Sequence, residues 1–509
     1  EKEFHKVIND DDPISVFLEF NYQHYDKNIS DYEYKTISQS EKILSSHRSA
    51  LKNYYHLRNI KIVEEIGDKL LEKFYISQYS NYAQYNFENA KTYKKYHNRL
   101  HKLANESTIK KLYISQTIKD YDLNVVNSGN KDLSLYYFDQ AKQDIGINST
   151  PYTGAGINVG IYEPGILNIN TAHFYGRNLV YEASSNQSNP IYRNHAQVVS
   201  VIAVGNDGIA NGSNIFAKGS ELDETDTYLE EIEWFVDRNV DIINVSFRMS
   251  SQTKNYTIYD ALIDYYSYKC GIVFIIAAGN QGEGGVVSPA NAYSAITVGA
   301  IDANKDVADF SSYESDTGKP NIVAPGANLV ISNDPNDYHS GTSFAAPMVT
   351  GIVALLMEEF PYLRGHPDKI LTVLTVSAEK LPSQDIAYDA RVGVGLVNYQ
   401  NARKIIKQGF DSFEINESNV YGEVVFQKSF LIPQGSTLKI SMAVSIEIES
   451  QEFESSQFPI DYTLLNIELG GAISPLEELR NNLNLYYLEY TNEWDSLQKC
   501  TLYVRMYSN

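Results

Sequence analysis

The sequence predicts an α/β protein in which a parallel β-sheet with helices on both faces follows a smaller α+β domain and precedes a β-sandwich. Between residues 135 and 408, short apolar segments rich in β-branched residues alternate with helical patterns, as in a sheet covered on both faces. Residues 1–122 carry the element order β-α-β-β-α-β, and residues 409–509 contain strand patterns with polar loops. A chain of 509 residues suits about three domains, and we place them at 1–122, 123–408 and 409–509.

The first domain has the element order of a ferredoxin-like sandwich. Ile14–Phe20 alternates like a strand, and Ser40–Arg58 has the apolar spacing of a helix. Residues 74–87, which are rich in tyrosine, predict two short strands or a hairpin. A helix over Asn89–Ala104, with Asn89 as its cap, and a strand over Thr108–Ile114 complete the order.

The central region supplies the strands of the predicted parallel sheet. It follows residues 116–135, which contain few apolar positions and are predicted to form a linker. The segments that predict the strands are Ile157–Tyr162, Ile242–Val245, Val273–Ala277, Ala295–Val298 and Ile322–Val323. The apolar run Met348–Met357 predicts a buried helix with Ser343 near its start. Free N–H groups at such a position favour negative charge, although a serine there also commonly serves as a helix cap.

The last domain contains strand patterns without a convincing helix. The predicted strands are Val424–Ile432, Leu438–Ile448, Tyr462–Ile467, Leu483–Tyr490 and Cys500–Tyr507. Strands separated by polar loops are typical of an antiparallel β-sandwich.

Composition excludes several classes of function. The formal net charge of -22 argues against nucleic acid as a partner. Two cysteines, Cys270 and Cys500, provide neither a disulfide framework nor a Cys/His metal site. No apolar run in this chain reaches the roughly 18 residues that a transmembrane helix needs.

Two short motifs point to acyl-transfer chemistry. The segment Gly341–Pro347 reads Gly-Thr-Ser-Phe-Ala-Ala-Pro, and it resembles the nucleophile motif of the subtilisin-like serine peptidases, with Ser343 as the nucleophile. His195, in the sequence Asn-His-Ala-Gln, resembles the family's histidine motif and is the expected base. The family usually has His-Gly-Thr-His, so only the first histidine is kept. The resemblance also implies that a helix begins at this histidine.

A third motif resembles the family's oxyanion segment. Ala277–Gly282 reads Ala-Ala-Gly-Asn-Gln-Gly after an apolar strand, and the amide of Asn280 is the expected donor to a tetrahedral oxyanion. An asparagine in a turn is the alternative interpretation.

The orienting acid departs from the family pattern. Gly156–Gly165 aligns with the first catalytic strand, where Glu163 replaces the usual aspartate. Glutamate keeps the carboxylate but is longer by one methylene, about 1.5 Å. Two hypotheses follow. Either Glu163 orients His195, or the triad is impaired and the protein is a peptide-binding or partner-binding scaffold.

The expected substrate-binding residues are Ser246, Phe247, Arg248 and Gly279. Ser246–Arg248 follows a strand at the place where subtilases usually have Ser-x-Gly, whose backbone pairs with substrate, so Arg248 replaces a glycine. A cation there would narrow the first specificity pocket or select an acidic residue. The alternative is that Arg248 points to solvent.

Taken together, these motifs imply a serine endopeptidase of subtilisin-like fold that hydrolyses proteins or peptides through an acyl-enzyme. The first domain resembles a subtilase propeptide, which implies a folding chaperone, an intramolecular inhibitor and an autoprocessed zymogen. The last domain resembles the jelly-roll domains of secreted subtilases, which implies a secreted or cell-surface protein. No cofactor is required. Many subtilases bind structural calcium, but spacing identifies no ligand set here.

Overall fold

The structure is a computed structural model of the chain. It describes residues 14–21, 41–116, 134–165, 167–183, 190–220, 227–248, 256–412, 424–443, 465–470, 480–481, 485–494 and 496–506. The predicted linker over residues 116–135 lies almost entirely outside the described residues.

The N-terminal unit, defined here as the described residues 14–21 and 41–116, has the predicted β-α-β-β-α-β order. Its antiparallel sheet is ordered β2-β3-β1-β4. Asn89 caps α2 by accepting the backbone N–H of Thr92, as predicted. The elements are β1 (Ile14–Phe20), α1 (Glu41–Ile66), β2 (Tyr75–Ile76), β3 (Tyr82–Phe87), α2 (Ala90–Ala104) and β4 (Ile109–Gln116).

Helix α1 is longer than the sequence predicted. The expected end was Arg58, but the buried residues Asn59 and Ile62 continue its inward face. The helix ends before Gly67, whose φ of 60° is the left-handed conformation that glycine adopts after a helix.

A seven-stranded parallel sheet forms the centre of the peptidase-like region and confirms the predicted α/β class. Its order is β12-β11-β10-β9-β6-β8-β7. The strands are β6 (Asn158–Pro164), β7 (Leu179–Ala183), β8 (Asn214–Ser220), β9 (Ile242–Val245), β10 (Val273–Ala277), β11 (Ile296–Ile301) and β12 (Ile322–Pro325). A small second sheet contains β5 (Tyr136–Tyr137), β13 (Leu329–Val330) and β14 (Tyr338–His339).

Helices cover both faces of this sheet, because successive strand residues point to opposite sides. Ile242 packs in the cluster that contains residues of α4 and α7, while Ile243 packs in the cluster that contains residues of α5 and α6. The helices are α3 (Phe138–Asp144), α4 (Pro190–Val204), α5 (Tyr228–Asp237), α6 (Ile258–Cys270), α7 (Thr342–Glu359), α8 (Pro367–Ser377) and α9 (Tyr399–Gln408). The expectation that a helix begins at His195 is wrong: α4 begins at Pro190, and proline is favourable at a first helical position.

Helix α7 runs through the core, and hydrogen bonds to Glu358 fix the position of its C-terminal end. Its residues from Thr342 to Met357 are buried, which explains why its sequence is apolar on all sides. Near its C-terminus, one carboxylate oxygen of Glu358 accepts the backbone N–H groups of Thr153, Gly154 and Ala155 at 2.7, 2.6 and 3.1 Å. These residues belong to the segment that leads into β6.

The described residues of the C-terminal region form two antiparallel three-stranded sheets, ordered β15-β20-β17 and β16-β19-β18. All five predicted strands are found, although residues 444–448, 462–464, 483–484 and 507 of four of them lie outside the described residues. The strands are β15 (Val424–Ile432), β16 (Thr437–Ala443), β17 (Leu465–Gly470), β18 (Arg480–Asn481), β19 (Leu485–Thr491) and β20 (Gln498–Met506). No helix within the described ranges is long and apolar enough to cross a membrane.

Candidate active site

The candidate residues meet at one edge of the parallel sheet. Glu163 lies near the end of β6, Ser246 directly follows β9, and Asn280 follows β10. Because β9 pairs with both β6 and β10, the carboxyl ends of these strands are adjacent. Helix α7 begins at the same edge and brings Ser343 to it.

Glu163 and His195 form a buried hydrogen-bonded pair. His195 Nδ1 donates to Glu163 Oε2 at 2.8 Å, and the two residues are only 4% and 2% exposed. A proton on Nδ1 leaves Nε2 as the basic nitrogen of a neutral imidazole. The extra methylene of glutamate is therefore accommodated without loss of the contact that orients the histidine.

Both oxygens of the Glu163 carboxylate are engaged. While Oε2 accepts from His195, Oε1 accepts the backbone N–H of Ser246 at 3.1 Å. Two donors on opposite oxygens fix the rotation of the carboxylate as well as its position. The acid is thus held in part by the residue that directly follows β9, the strand beside its own.

Ser343 is also hydrogen-bonded to Ser246. Its Oγ donates to the carbonyl oxygen of Ser246 at 3.1 Å, and its own carbonyl accepts from Ser246 Oγ at 3.0 Å. Asn244 Nδ2 also donates to Ser246 Oγ, at 2.8 Å. The Ser343 hydroxyl therefore has to turn from Ser246 toward His195 before it can give up its proton, a rearrangement common in unliganded sites.

The amide of Asn280 is oriented by the first residue of α7. Asn280 Oδ1 accepts from the backbone N–H of Thr342 at 2.9 Å and from its Oγ1 at 3.1 Å. A backbone N–H can only donate, so these contacts fix which end of the amide faces Thr342. Thr342 Oγ1 also accepts from the N–H of Gly279 at 3.0 Å, which joins the end of β10 to the start of α7.

The aromatic ring of Phe344 packs against one side of His195. The ring of Phe344 packs 5.5 Å from that of His195 and 5.3 Å from that of His339, measured between centroids. Burial lowers the pKa of His339, the nearby carboxylate of Asp337 acts in the opposite direction, and the charge of His195 lowers it further. His339 therefore favours its neutral form, which limits repulsion of an imidazolium on His195.

The expected substrate-binding residues occupy different environments. The backbone N–H and carbonyl of Ser246 are both used within the site, and the ring of Phe247 packs edge-on against Tyr162 at 4.9 Å. Gly279 has a φ of 107°, which favours glycine. Arg248 is half-buried, with its Nε enclosed by protein, and it precedes residues 249–255, which are not described.

The sequence profile of the subtilase family matches residues 86–395, which is more than half of the chain. The chain belongs to the subtilase family. Subtilisin DY from Bacillus licheniformis is 31% identical over 272 residues, which cover 50% of this chain and 94% of that protein. The serine protease AprX from Bacillus subtilis (strain 168) is 30% identical over 213 residues, 34% of this chain and only 47% of AprX. The solved protease domain of PatA has 25% identity and a TM-score of 0.45, covering 52% of this chain and 100% of that one.

This subtilase is a serine endopeptidase, and these relatives do not favour the alternative of a binding scaffold. Two residues that shape its site were missed by sequence reasoning. Ser246 was expected only to bind substrate, yet it links Glu163 to Ser343, and Thr342 was given no role. The position of Ser246 after β9 was an available signal, because β9 lies beside β6.

Proposed function

We propose that this peptidase cleaves protein substrates through an acyl-enzyme, with Ser343 as nucleophile, His195 as base, Glu163 as orienting acid and Asn280 as oxyanion donor. The observation that carries the proposal is the buried 2.8 Å hydrogen bond between His195 Nδ1 and Glu163 Oε2. It supports the hypothesis that glutamate at this position orients the base, as aspartate usually does in the family.

The reaction begins when His195 Nε2 takes the proton of Ser343 Oγ as that oxygen attacks the peptide carbonyl. Negative charge then develops on the carbonyl oxygen, where Asn280 Nδ2 and the backbone N–H of Ser343 donate to it. The N–H of Ser343 lies in the first turn of α7, where N–H groups have no partner within the helix. His195 returns the proton to the leaving amine, and a water molecule, activated in the same way, releases the acyl group.

A fluorophosphonate probe tests this assignment directly. Such a probe phosphonylates an activated serine hydroxyl and releases fluoride, so labelling is expected on the peptide that contains Ser343 once the N-terminal unit has been removed by processing. Ser343→Ala should abolish labelling, whereas Ser332→Ala, at an exposed serine outside the site, should leave it unchanged. A folded chain that is not labelled even after its N-terminal unit has been removed would favour the scaffold hypothesis instead, because that unit is itself proposed to inhibit the site.

Asn280 is expected to act by donating one hydrogen bond to the oxyanion. Asn280→Ala should lower kcat by about 10²- to 10³-fold, the range found for the oxyanion asparagine of subtilisin. Asn280→Asp keeps an oxygen that can accept from Thr342 but removes the amide donor, so it should lose as much activity while unfolding at nearly the wild-type temperature. Near-normal kcat in both variants would contradict the role.

We also propose that the protein is made as an autoprocessed zymogen in which the N-terminal unit acts as chaperone and intramolecular inhibitor. The shared apolar core supports this, because Phe17, Leu51, Tyr79 and Tyr82 of that unit pack in one cluster with residues of α5 and α6. Cleavage is proposed within the linker at 116–135. Export to the cell surface or medium is proposed from the resemblance to secreted subtilases.

No cofactor is proposed for the chemistry, since the four side chains supply every proton transfer and the oxyanion contact. A structural calcium ion remains a proposal from the family resemblance. Within the ranges that the structure describes, no group of three or more His, Cys, Asp or Glu side chains is arranged to hold a metal ion.

A further inference from the structure

Two histidines on helix α2 bring their outer ring nitrogens together. His97 and His101 are four residues apart, so their side chains lie on one face of the helix. Their Nε2 atoms are 3.1 Å apart, while the ring centroids are 4.3 Å apart and the ring planes meet at 60°. The two rings are therefore not stacked, and they meet through these nitrogens.

A contact of this length between two imidazole nitrogens requires a shared proton or a shared metal ion. Two lone pairs repel each other, so either one ring donates its N–H to the other or an ion binds both lone pairs. A nitrogen bound to zinc lies roughly 2.0–2.1 Å from the ion, so two such nitrogens are about 2.9 Å apart at a right angle and about 3.4 Å apart at a tetrahedral angle. The separation of His97 Nε2 and His101 Nε2 lies between these values, so the helix already holds both nitrogens at the spacing that one ion needs.

Neighbouring residues on the same face of α2 limit the movement of both histidines. The ring of Tyr93, which is 2% exposed, packs edge-on against that of His97, with 6.0 Å between the centroids. Asn105, one turn after His101, donates from Nδ2 to the backbone carbonyl of His101 at 2.9 Å. His97 and His101 are themselves only partly buried, so water can supply the remaining ligands of an ion.

The chemistry of α2 selects the kind of ion. Its basic side chains repel every cation, and hard cations such as calcium, which bind oxygen ligands, gain nothing from the histidines in return. Imidazole nitrogens, in contrast, bind nickel, copper and zinc. His101 also lies in the last turn of α2, where carbonyl groups without helical partners favour positive charge. The basic side chains are Lys91, Lys94, Lys95, Arg99 and Lys102, of which Arg99 is paired with Asp68.

The histidine pair lies on the side of the N-terminal unit that is turned away from the peptidase. Successive residues of β1 point to opposite faces of its sheet. Phe17 packs in the cluster shared with α5 and α6, whereas Val16 and Leu18 pack in a cluster with buried residues of α2. Helix α2 and the peptidase therefore cover opposite faces of the sheet, and an ion can reach the histidines while the unit is in place.

We infer that His97 and His101 bind one divalent ion of the nickel, copper or zinc class and that this ion stabilises the N-terminal unit. Both ligands face the same ion only while α2 is helical, so binding favours the folded unit by mass action. The site is independent of the reaction at Ser343. Its regulatory consequence, a longer cover of the active site, rests on the proposed inhibitory role of the unit.

Zinc titration of the full-length Ser343→Ala chain tests the site, because this chain cannot process itself. Calorimetry should show a zinc-binding event that calcium does not produce. His97→Ala and His101→Ala each leave a single imidazole, so each should raise the Kd of that event by about tenfold or more, since even the loss of an outer-shell partner costs this much. Asn98→Ala, at an exposed residue between the two histidines, and His56→Ala, at a histidine of α1, are the controls and should bind zinc like the parent chain.

Hydrogen exchange in the same chain tests the stabilisation of α2. An ion that binds only the folded helix lowers the population of the open state by a factor of one plus the ratio of free zinc to Kd. At a zinc concentration ten times the Kd, exchange of the α2 amides should therefore slow by about tenfold. The same slowing is expected in Asn98→Ala, whereas the amides of His101→Ala should not respond to zinc at this concentration.

An absent zinc event, or one that is unchanged in both His97→Ala and His101→Ala, would overturn the inference and leave a hydrogen-bonded histidine pair. Zinc binding without slower exchange of α2 would overturn the stabilising role. In the chain that retains Ser343, zinc should slow the loss of the N-terminal unit, and His101→Ala should remove this effect. If zinc binds as expected but Ser343 is never labelled by the fluorophosphonate, the metal site stands and the proposed catalytic function fails; labelling without zinc binding gives the converse result.

Discussion

His195→Ala is expected to lower kcat by about 10⁶-fold, the magnitude found when the base of the subtilisin triad is removed. Without an imidazole, no group in the site can take the proton of Ser343 Oγ as it attacks. The hydroxyl would remain donating to the carbonyl of Ser246, where it sits at 3.1 Å. Hydrolysis of a fluorogenic peptide by purified chains provides the measurement.

His173→Ala provides the matched control for His195→Ala. His173 lies on a short helical turn, is only partly buried and lies outside the hydrogen-bonded cluster of the site. Activity within about twofold of wild type is expected for this variant, as for most substitutions away from a site. A His195→Ala enzyme that retained a few per cent of wild-type kcat would show that another residue is the base.

Glu163→Ala is expected to lower kcat by about 10⁴-fold, in the range observed when the orienting acid of a serine peptidase triad is lost. The variant removes the partner of His195 Nδ1 and also leaves the backbone N–H of Ser246 without its acceptor. The imidazole would then adopt the wrong tautomer or orientation. The same peptide assay, with melting temperatures to confirm folding, provides the test.

Glu163→Asp distinguishes two explanations of the glutamate. If the strand end has the family's usual position, aspartate would restore the usual acid and activity would stay equal or rise. The contacts favour the other outcome: both oxygens are satisfied at 2.8 and 3.1 Å, so a side chain shorter by about 1.5 Å would lose one of them. We expect a loss of about 10²-fold, as for a catalytic group displaced by about 1 Å.

A Glu163→Ala enzyme with wild-type kcat would remove Glu163 from the triad. A Glu163→Asp enzyme more active than wild type would show that the strand end keeps the family's usual position and that the longer glutamate side chain folds to fit it. Either result would leave the fold assignment unchanged, since the fold does not depend on this side chain.

Features with local causes were predictable from the sequence. Strand β6 and helix α7 follow from apolar patterns, and the residues near them could be placed at one sheet edge because parallel strands end together. The pairing of Glu163 with His195 was a hypothesis that distances in the structure now support. The predicted start of α4 at His195 was wrong, because the histidine motif of the family was taken as the beginning of the helix.

Features created by long-range packing were not predictable. The hydrogen-bonded contact between Glu233, on α5, and residues 75–79 joins positions more than 150 apart in the chain, and neither side has a distinctive motif. The role of Ser246 likewise depends on its backbone, which residue type does not reveal. Both features required the order of strands in the sheet and the placement of the N-terminal unit on α5 and α6.

Helix α7 has 18 residues and is therefore about 27 Å long, and it connects the nucleophile to a contact at the opposite end of the sheet. Its first turn contains the nucleophile Ser343. In its last turn, Glu358 accepts backbone hydrogen bonds from the segment that leads into β6, the strand that contains Glu163. The alignment of Ser343 with Glu163 therefore depends on a contact remote from the chemistry as well as on Ser246 within the site. Substitution of Glu358 would keep every reacting group and still weaken the support of their common alignment.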